Sequence, residues 1–341
     1  MADNKVLLDH GSGGKISHSM ISEIILPLFD NPILAMLDDG ATLDIPSDKI
    51  AFSTDTYVVE PIFFPGGNIG DLAVNGTVND VAMCGAKPLY ISVGLIIEEG
   101  LPIKDLEIIL KTMADAGRKA GINIVTGDTK VVPRGKADKI FINTSGIGII
   151  PDNINVTGAN ARPGDKIILS GTIADHGITV LSAREDLKMN SDIKTDSAPL
   201  NHMVKAIIDS GKKIHVLRDP TRGGLGTTLN EIARQSNVEI KIQEKAIPVK
   251  NAVAGMCELL GFDPLYIANE GKLIAFVPPE HADHVLETIK KDEFGKHACI
   301  IGQVMPEDSD PENKGRVYME TLIGGTRIVD MLTGEQLPRI C

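Results

Sequence analysis

An α/β protein of two mixed domains is predicted by three features of the chain. Its 341 residues are too many for one small core, and about two domains is the expected count. Strand-like apolar runs alternate with helical stretches throughout, so each half reads as an α/β or α+β unit. A stretch dense in turn residues, 151–165 with Pro151, Asn153, Gly158, Pro163 and Gly164, divides the series. The expected organisation is a first domain over 1–155, a second over 156–315 and a tail over 316–341.

Taken in order, Lys5 to Asp9 is expected as a short strand and Ile16 to Phe29 as a helix closed by Asn31-Pro32. Pro27 is expected to disturb the last turn of that helix, because it has no N–H to donate. Runs rich in Ile, Val, Phe or Tyr predict strands at 49–59, 89–97, 122–126 and 139–150. Between them, Leu106, Ile109, Leu110, Met113, Gly117 and Ala120 recur at helical spacing, with Pro102 near the start and Gly121 after the end. That pattern predicts a helix over 104–120. Beyond the division come strands at 166–171, 213–218, 238–243, 272–277 and 298–304. Helices are expected near 177–187, 198–210, 224–236, 250–260 and 280–291, and the tail reads as short strand-like pieces.

Composition excludes several classes of function. The chain is 43% hydrophobic and 23% charged with 34 glycines, within the range of a globular protein. A formal charge of −12 disfavours nucleic acid and anionic membrane surfaces as partners. The segment Met1 to Lys5 has no apolar leader, and no run approaches membrane-spanning length. Cys84, Cys257, Cys299 and Cys341 stand far apart without a C-x-x-C pair, which argues against a zinc site or a disulfide framework. A reducing, cytoplasmic location is expected.

Five aspartates follow apolar runs in small or polar settings: Asp38, Asp39, Asp55, Asp80 and Asp128. Converging carboxylates suit Mg²⁺, a hard cation that takes oxygen ligands and bridges to phosphates. The alternative for each is a turn or cap residue. Gly11-Ser12-Gly13-Gly14-Lys15 lies between an expected strand and an expected helix, where backbone N–H groups, a lysine and a helix N-terminus can cradle phosphate. It is not a P-loop, because Asp9 and Ile16 occupy positions that motif reserves for Gly and Ser or Thr. Gly66-Gly67-Asn68-Ile69-Gly70 and Asp219-Pro220-Thr221-Arg222-Gly223-Gly224 are two more glycine loops ahead of helices. Three such loops with a carboxylate set point to a nucleoside triphosphate.

Lys130 follows Asp128 by two residues, and Glu270 sits in Asn269-Glu270-Gly271-Lys272. Buried together, the two could exchange protons; otherwise each is a surface charge. His176 reads as a structural residue or an anion contact at a helix start, and Cys84 as a small buried residue on a helix. The chain's last residue is Cys341, after Pro338-Arg339-Ile340, with Gly324, Gly325 and Gly334 as permissive points upstream. Pro338 is expected to keep this tail out of helices and sheet ladders, leaving a thiol tethered on one side.

In this order, the Gly11–Lys15 loop, Ser53-Thr54-Asp55, Phe64 to Gly70, Asn79-Asp80-Val81, Thr126-Gly127-Asp128-Thr129-Lys130, Asp219 to Gly224, Asn269 to Lys272 and Pro338 to Cys341 resemble one known family. It is the hydrogenase maturation HypE family of carbamoyl dehydratases, and the likeness spans essentially the whole chain. That family stands with aminoimidazole ribonucleotide synthetase and selenophosphate synthetase among ATP-dependent enzymes. The resemblance implies two α/β domains of the aminoimidazole ribonucleotide synthetase-like type, a mobile tail and a homodimer built on the N-terminal domains. It implies ATP at Gly11, Gly13, Gly14, Lys15, Asp55, Asn79, Asp80, Thr126, Gly127 and Asp128, with Mg²⁺ at Asp38, Asp39, Asp55, Asp80 and Asp128. A carbamoyltransferase, HypF, would load Cys341, and ATP would then drive dehydration of the thiocarbamate to a thiocyanate. Lys130 and Glu270 would remove the N–H protons, and a HypC–HypD complex would receive the cyanide. The competing readings are a non-enzymatic carrier using Cys341, separable by an ATPase assay, and a selenophosphate synthetase, which would be expected to carry a thiol where Ser12 stands.

Overall fold

Two large sheets form, one from strands within 50–149 and one from strands within 166–329, beside a two-stranded ribbon of β2 (Phe63–Phe64) and β3 (Gly67–Asn68). The computed structural model describes residues 5–11, 15–29, 31–36, 41, 43, 45, 49–184, 193–306, 314–332, 337 and 339–341. In the first sheet, β1 (Ile50–Tyr57), β6 (Ile140–Ile149), β4 (Lys87–Glu98) and β5 (Asn123–Val132) lie in that spatial order. Only β4 and β5 are parallel, and they are joined through the helix α3 (Ile103–Ala120). One face of this sheet is closed by α2 (Ile69–Met83), on which α3 packs in turn.

The helix α2 is almost wholly buried although Gly70, Gly76 and several β-branched residues give it poor intrinsic propensity. Its start is held by a capping box: Gly70 N donates to Asn68 Oδ1 at 2.7 Å, and Asn68 N donates to Asp71 Oδ1 at 2.6 Å. Such a cap contributes about 1 kcal/mol. The expected glycine loop ahead of a helix is therefore this cap.

The second sheet runs β13 (Thr326–Val329), β12 (Val317–Glu320), β9 (Ile240–Gln243), β11 (Cys299–Val304), β7 (Lys166–Leu169), β10 (Ile274–Val277) and β8 (Val216–Arg218). Its central strands alternate strictly. Ile167, Leu169, Ile274 and Phe276 meet α6 (Gly224–Ser236), whereas Ile168, Ala275 and Val277 meet α5 (Asn201–Asp209) and α8 (Pro279–Lys290). Both faces are covered, so β10 is buried along its whole length. Two further helices, α4 (Asp175–Ser182) and α7 (Asn251–Leu260), pack against each other at the side.

One expectation is corrected and two are refined. The segment Lys5 to Asp9 is not a strand: Lys5 makes one isolated bridge to Pro102, and the chain then turns into a 3₁₀ helix over Leu8–Gly11, with Leu7 N donating to His10 Nδ1. The expected helix over 16–29 is one helical run of three pitches: α1 (Lys15–Met20), a π turn over Ile21–Ile25 and a 3₁₀ turn at Leu26–Leu28 around Pro27. The strand-like pieces expected in the tail belong to the second sheet, since β12 pairs parallel with β9 and carries β13 as a hairpin. We propose the domain boundary near 155/156, between the two sheets, with the tail beginning after β13.

Tyr57 ends β1 against α2, where only a glycine leaves room. A Cβ on Gly76 would stand 2.2 Å from Tyr57 Oη. Gly76→Ala is therefore expected to lower stability by about 1–3 kcal/mol, despite the better helix propensity of alanine. A urea unfolding midpoint equal to wild type would contradict this packing.

Candidate active site

Alternation in the first sheet sorts its motif residues onto two faces. Ser53 and Asp55 point toward α2, and Ser53 Oγ donates to Asp80 Oδ2 at 2.8 Å. On β5 the ladder sets Thr126 opposite Ser92, Asp128 opposite Gly94 and Lys130 opposite Ile96, on the outer face. The strand expected to stop at 126 runs on to Val132, so Asp128 lies within a strand rather than at its end. Asp128 and Lys130 pair there at 2.8 Å, with 71% and 63% of their side chains exposed. The lysine beside Asp128 holds that carboxyl below its usual range.

On the inner face the carboxylates gather. Asp80 stands on α2, and Asp219 follows β8 from the second half of the chain. Burial, and then the charge of Asp55, push the Asp80 carboxyl up to about 6 against the lowering bond from Ser53. Burial and the neighbouring Asp80 push Asp219 up to about 7. Arg218 partly offsets both, while itself bonding Glu231 at 2.7 Å. Glu270 completes the group. Its own burial and the charges of Asp196, Asp219, Asp55 and Asp80 raise its pKa far above the usual carboxylate range. Its Oε1 is buried with no hydrogen-bond partner. A buried acceptor without a donor is costly, and it marks a place made for one.

The backbone around Glu270 is clamped. Asp196 accepts from Glu270 N at 3.2 Å and Gly271 N at 3.3 Å, and pairs with Lys272 Nζ at 3.0 Å. Gly271 is required here, since a Cβ would meet Asp196 O at 1.8 Å. Asn269 accepts from Ala174 N and donates to Pro220 O, both at 2.8 Å. Those bonds hold Ala174 at a left-handed φ of 71° ahead of α4 and fix the Asp219–Arg222 loop beside Glu270.

The end of the chain folds into this site. Val58 N donates to Cys341 O at 3.2 Å, and Glu60 N donates to Arg339 O at 3.1 Å. The tail expected to avoid ladders thus makes two ladder-like bonds with the chain just past β1. His176, buried on α4, donates from Nε2 to Ile340 O at 2.9 Å while its Nδ1 meets Thr195 Oγ1 at 2.7 Å. Burial lowers its pKa, and the carbonyl partner fixes the neutral Nε2–H tautomer. His176 is therefore a tail anchor rather than an anion contact. Ile340 joins the first core at 4% exposure. Cys341 Sγ accepts from Arg222 Nη2 at 3.3 Å and faces a cavity of about 510 Å³, lined also by Thr227, Tyr266 and Leu337. Burial and then the charge of Glu270 push its thiol up to about 12.

The predicted residues fare unequally. Cys341, Glu270, Asp80 and Asp55 converge. Lys130 does not join Glu270, because strand alternation carries it to the other face, where it is bonded to Asp128. Asn79 is fully occupied with backbone: it donates to Ala198 O and Glu270 O and accepts from Leu200 N, a bolt between the two halves rather than an open ligand. Asp38, Asp39, Ser12, Gly13 and Gly14 lie outside the described residues; Gly11 ends a 3₁₀ turn and Lys15 begins α1. Among the described residues no group of three or more His, Cys, Asp or Glu side chains stands ready to hold an ion. Cys84 is an exposed C-cap of α2, not a buried helical residue. Sequence reading gave no chemical task to Asp219, Asp196 or Arg222. The signal for the first and last was the loop that contains them, read only for its glycines.

Two family models cover most of this chain. The AIR synthase related protein N-terminal domain matches residues 37–150, and the AIR synthase related protein C-terminal domain matches 162–311. The fold and the site thus define an AIR synthase related protein of two α/β domains. Carbamoyl dehydratase HypE of Azotobacter vinelandii is 49% identical over 341 residues, 100% of this chain and 98% of that protein. The Rhizobium leguminosarum bv. viciae protein of the same name is 51% identical, covering 100% of this chain and 96% of its own length. A crystal structure of hydrogenase maturation protein HypE in complex with ATP superposes with a TM-score of 0.95 at 53% identity, covering 98% and 99% of the two chains. The chain belongs to the HypE carbamoyl dehydratase family. A thiamine-monophosphate kinase structure complexed with AMPPCP and TMP, with TM-score 0.61 and 20% identity over 97% of each chain, shares the fold alone.

The raised carboxylates make stability depend on pH. A carboxyl near 7 or 6 when folded, but near 4 when unfolded, binds more protons in the folded state across the interval. Stability must then increase as pH falls from about 8 toward 6.5, a window whose lower part overlaps the ordinary titration of histidine. Asp219→Asn is expected to flatten that slope in metal-free protein followed by thermal unfolding. An unchanged slope would mean that Asp219 does not carry the shift.

Proposed function

We propose that this chain is an ATP-dependent carbamoyl dehydratase acting on an S-carbamoyl group borne by its own Cys341. The observation that carries the reading is the docked tail. Cys341 Sγ lies half-buried beside Arg222 and feels the charge of Glu270, whose Oε1 has no partner. The chemistry balances as follows. The carbamoyl oxygen attacks the γ-phosphorus, an O–P bond forms and ADP leaves. Loss of one N–H proton gives C=N. The C–O bond then breaks, phosphate departs with its electrons, and loss of the second proton leaves the thiocyanate. Glu270 is the base that the geometry favours, because a high pKa makes its carboxylate a strong acceptor once ionised. Lys130 is proposed for a different task, on the face it shares with Asp128.

The donor set near Asp55, Asp80 and Asp219 is all oxygen and short of cationic partners, which suits Mg²⁺ arriving with the nucleotide. As they stand these three do not form a ready-made ion site, so they would hold the ion only together with the phosphate oxygens, and its charge would screen the phosphates. A related structure is a HypE–HypF complex, 47% identical and superposing with a TM-score of 0.79 over 92% of this chain and 100% of that one. It supports HypF as the carbamoyl-loading partner. A HypC–HypD acceptor is retained as the destination of the cyanide. A homodimer is supported by Ile50, Phe52 and Ile96, which lie 49%, 65% and 45% exposed on the outer face of the first sheet. Among the described residues no helix is long and apolar enough to cross a membrane. Four unpaired thiols agree with work in the reducing cytoplasm.

Mass spectrometry of the tail peptide tests the reading. After loading and addition of ATP, the carbamoylated peptide should convert to a species one water lighter. Cys341→Ala should give neither species while keeping the fold and ATP binding. Glu270→Gln should load normally and then accumulate the carbamoylated form. Dehydration by Glu270→Gln at the wild-type rate would remove Glu270 from the mechanism. Separately, Asp80→Asn should lower Mg²⁺-dependent ATP turnover by about 10²-fold; turnover at the wild-type level would reduce Asp80 to a partner of Ser53.

A further inference from the structure

We propose that Arg222 is a further catalytic residue of the dehydration, binding the carbamoyl oxygen and the phosphate formed on it while Glu270 serves the nitrogen. The inference rests on the dehydratase reading and assigns a task within it. Arg222 Nη2 donates to Cys341 Sγ at 3.3 Å, and the carbamoyl carbon would be bonded to that same sulfur. The group is planar, with oxygen and nitrogen on opposite sides of the carbon. A guanidinium is only a donor, so it can serve the oxygen and not the N–H groups. An ionised carboxylate is only an acceptor, so it can serve the N–H groups and not the oxygen. The docked sulfur has the donor on it, and Glu270, whose charge is felt at the thiol, offers a buried, unpartnered Oε1 as the acceptor.

The other cations near the tail have recorded tasks. Lys272 is bonded to Asp196, Arg218 to Glu231, and Arg339 to Asp138 at 2.6 Å. Arg184 donates to the backbone of Glu60 and Arg339. Arg222 donates to the thiol itself and has a further contact of its own. Its loop is held by Asn269, the neighbour of Glu270, so donor and acceptor are set relative to each other by one pair of bonds to Pro220 O. As the oxygen is phosphorylated and then leaves as phosphate, negative charge grows where the guanidinium stands. A fixed donor at such a place accounts for about 10²–10³-fold in rate, and the planar fork of arginine matches phosphate better than a lysine does.

The test uses full-length wild type, Arg222→Gln, Arg222→Lys and Arg184→Gln, each loaded by the carbamoyltransferase and mixed with ATP. Arg222→Gln should load and bind ATP as wild type does, yet lose water about 10²-fold more slowly, with Arg222→Lys recovering part of the rate. Iodoacetamide labelling of unloaded Cys341, read on the tail peptide, provides a second measurement. It should be no faster in Arg222→Gln, since the thiol stays docked and loses the contact that favours its thiolate. Wild-type dehydration by Arg222→Gln would overturn the assignment. So would slow dehydration with faster labelling, matched by Arg184→Gln, because Arg222 would then merely hold the tail. If loaded wild type itself retains its water, the dehydratase reading falls and this inference falls with it.

Discussion

Everything that faces Cys341 hangs on the carboxylate of Asp196. It accepts two backbone N–H bonds from Glu270 and Gly271 and pairs with Lys272, with both side chains less than a tenth exposed. Burial alone would raise such a carboxyl. The lysine and the backbone donors reverse that, so its pKa is lowered instead. A buried pair adds little net stability compared with an apolar filling, but removing one partner costs about 3–5 kcal/mol. The pair therefore acts as a specificity device. It commits residues 269–272 to one conformation, which presents Glu270 unpartnered while Asn269 ties down both Ala174 and Pro220. The N-terminus of α4, and with it the tail anchor His176, is set by the same segment.

Around this clamp the protein assembles a deficit of positive charge. Asp55, Asp80, Asp219 and Glu270 act on one another, and three of the four have raised pKa values. Such a cluster is unfavourable on its own, and on the proposed reading it would suit a nucleotide that arrives with its cation. The strain is stored in the folded protein rather than in any one residue, because the carboxylates come from β1, α2 and the loop after β8, on both sides of the interface bolted by Asn79.

The sequence made the fold class legible because helical and strand periodicities are local properties. The helix over Ile103–Ala120 could be read from six apolar positions and a terminal glycine. The helix over Ile69–Met83 had no amphipathic pattern to read, since burial on nearly every side removes the polar face. For the site, residue types were legible and partnerships were not. Asp128 and Lys130 carry the right chemistry, yet a strand six residues longer than expected turns them away from Glu270. Asn79 sits in a chemistry-bearing motif and spends every polar atom on backbone. Asp196 had no motif at all, and its importance arises only when residues 269–272 close over it.

The docked tail also separates two demands on one sulfur. With its pKa pushed up to about 12, the docked Cys341 thiol is far less ionised at pH 7 than an ordinary cysteine. A thiol so placed is a poor nucleophile toward a carbamoyl donor. A thiocarbamate carries no charge on sulfur, so the same pocket imposes no such penalty on the loaded form. On the proposed reading, docking would favour loaded over ionised Cys341, and loading would fall to an undocked state. The bonds that dock the tail, from Val58, Glu60, His176 and Arg184, are worth about 1 kcal/mol each. Ordering each terminal residue costs about 1–2 kcal/mol. Arg339 on Asp138, Arg222 on the thiol and the burial of Ile340 add to the docked side, so a partner that draws the tail out must offset those contacts as well.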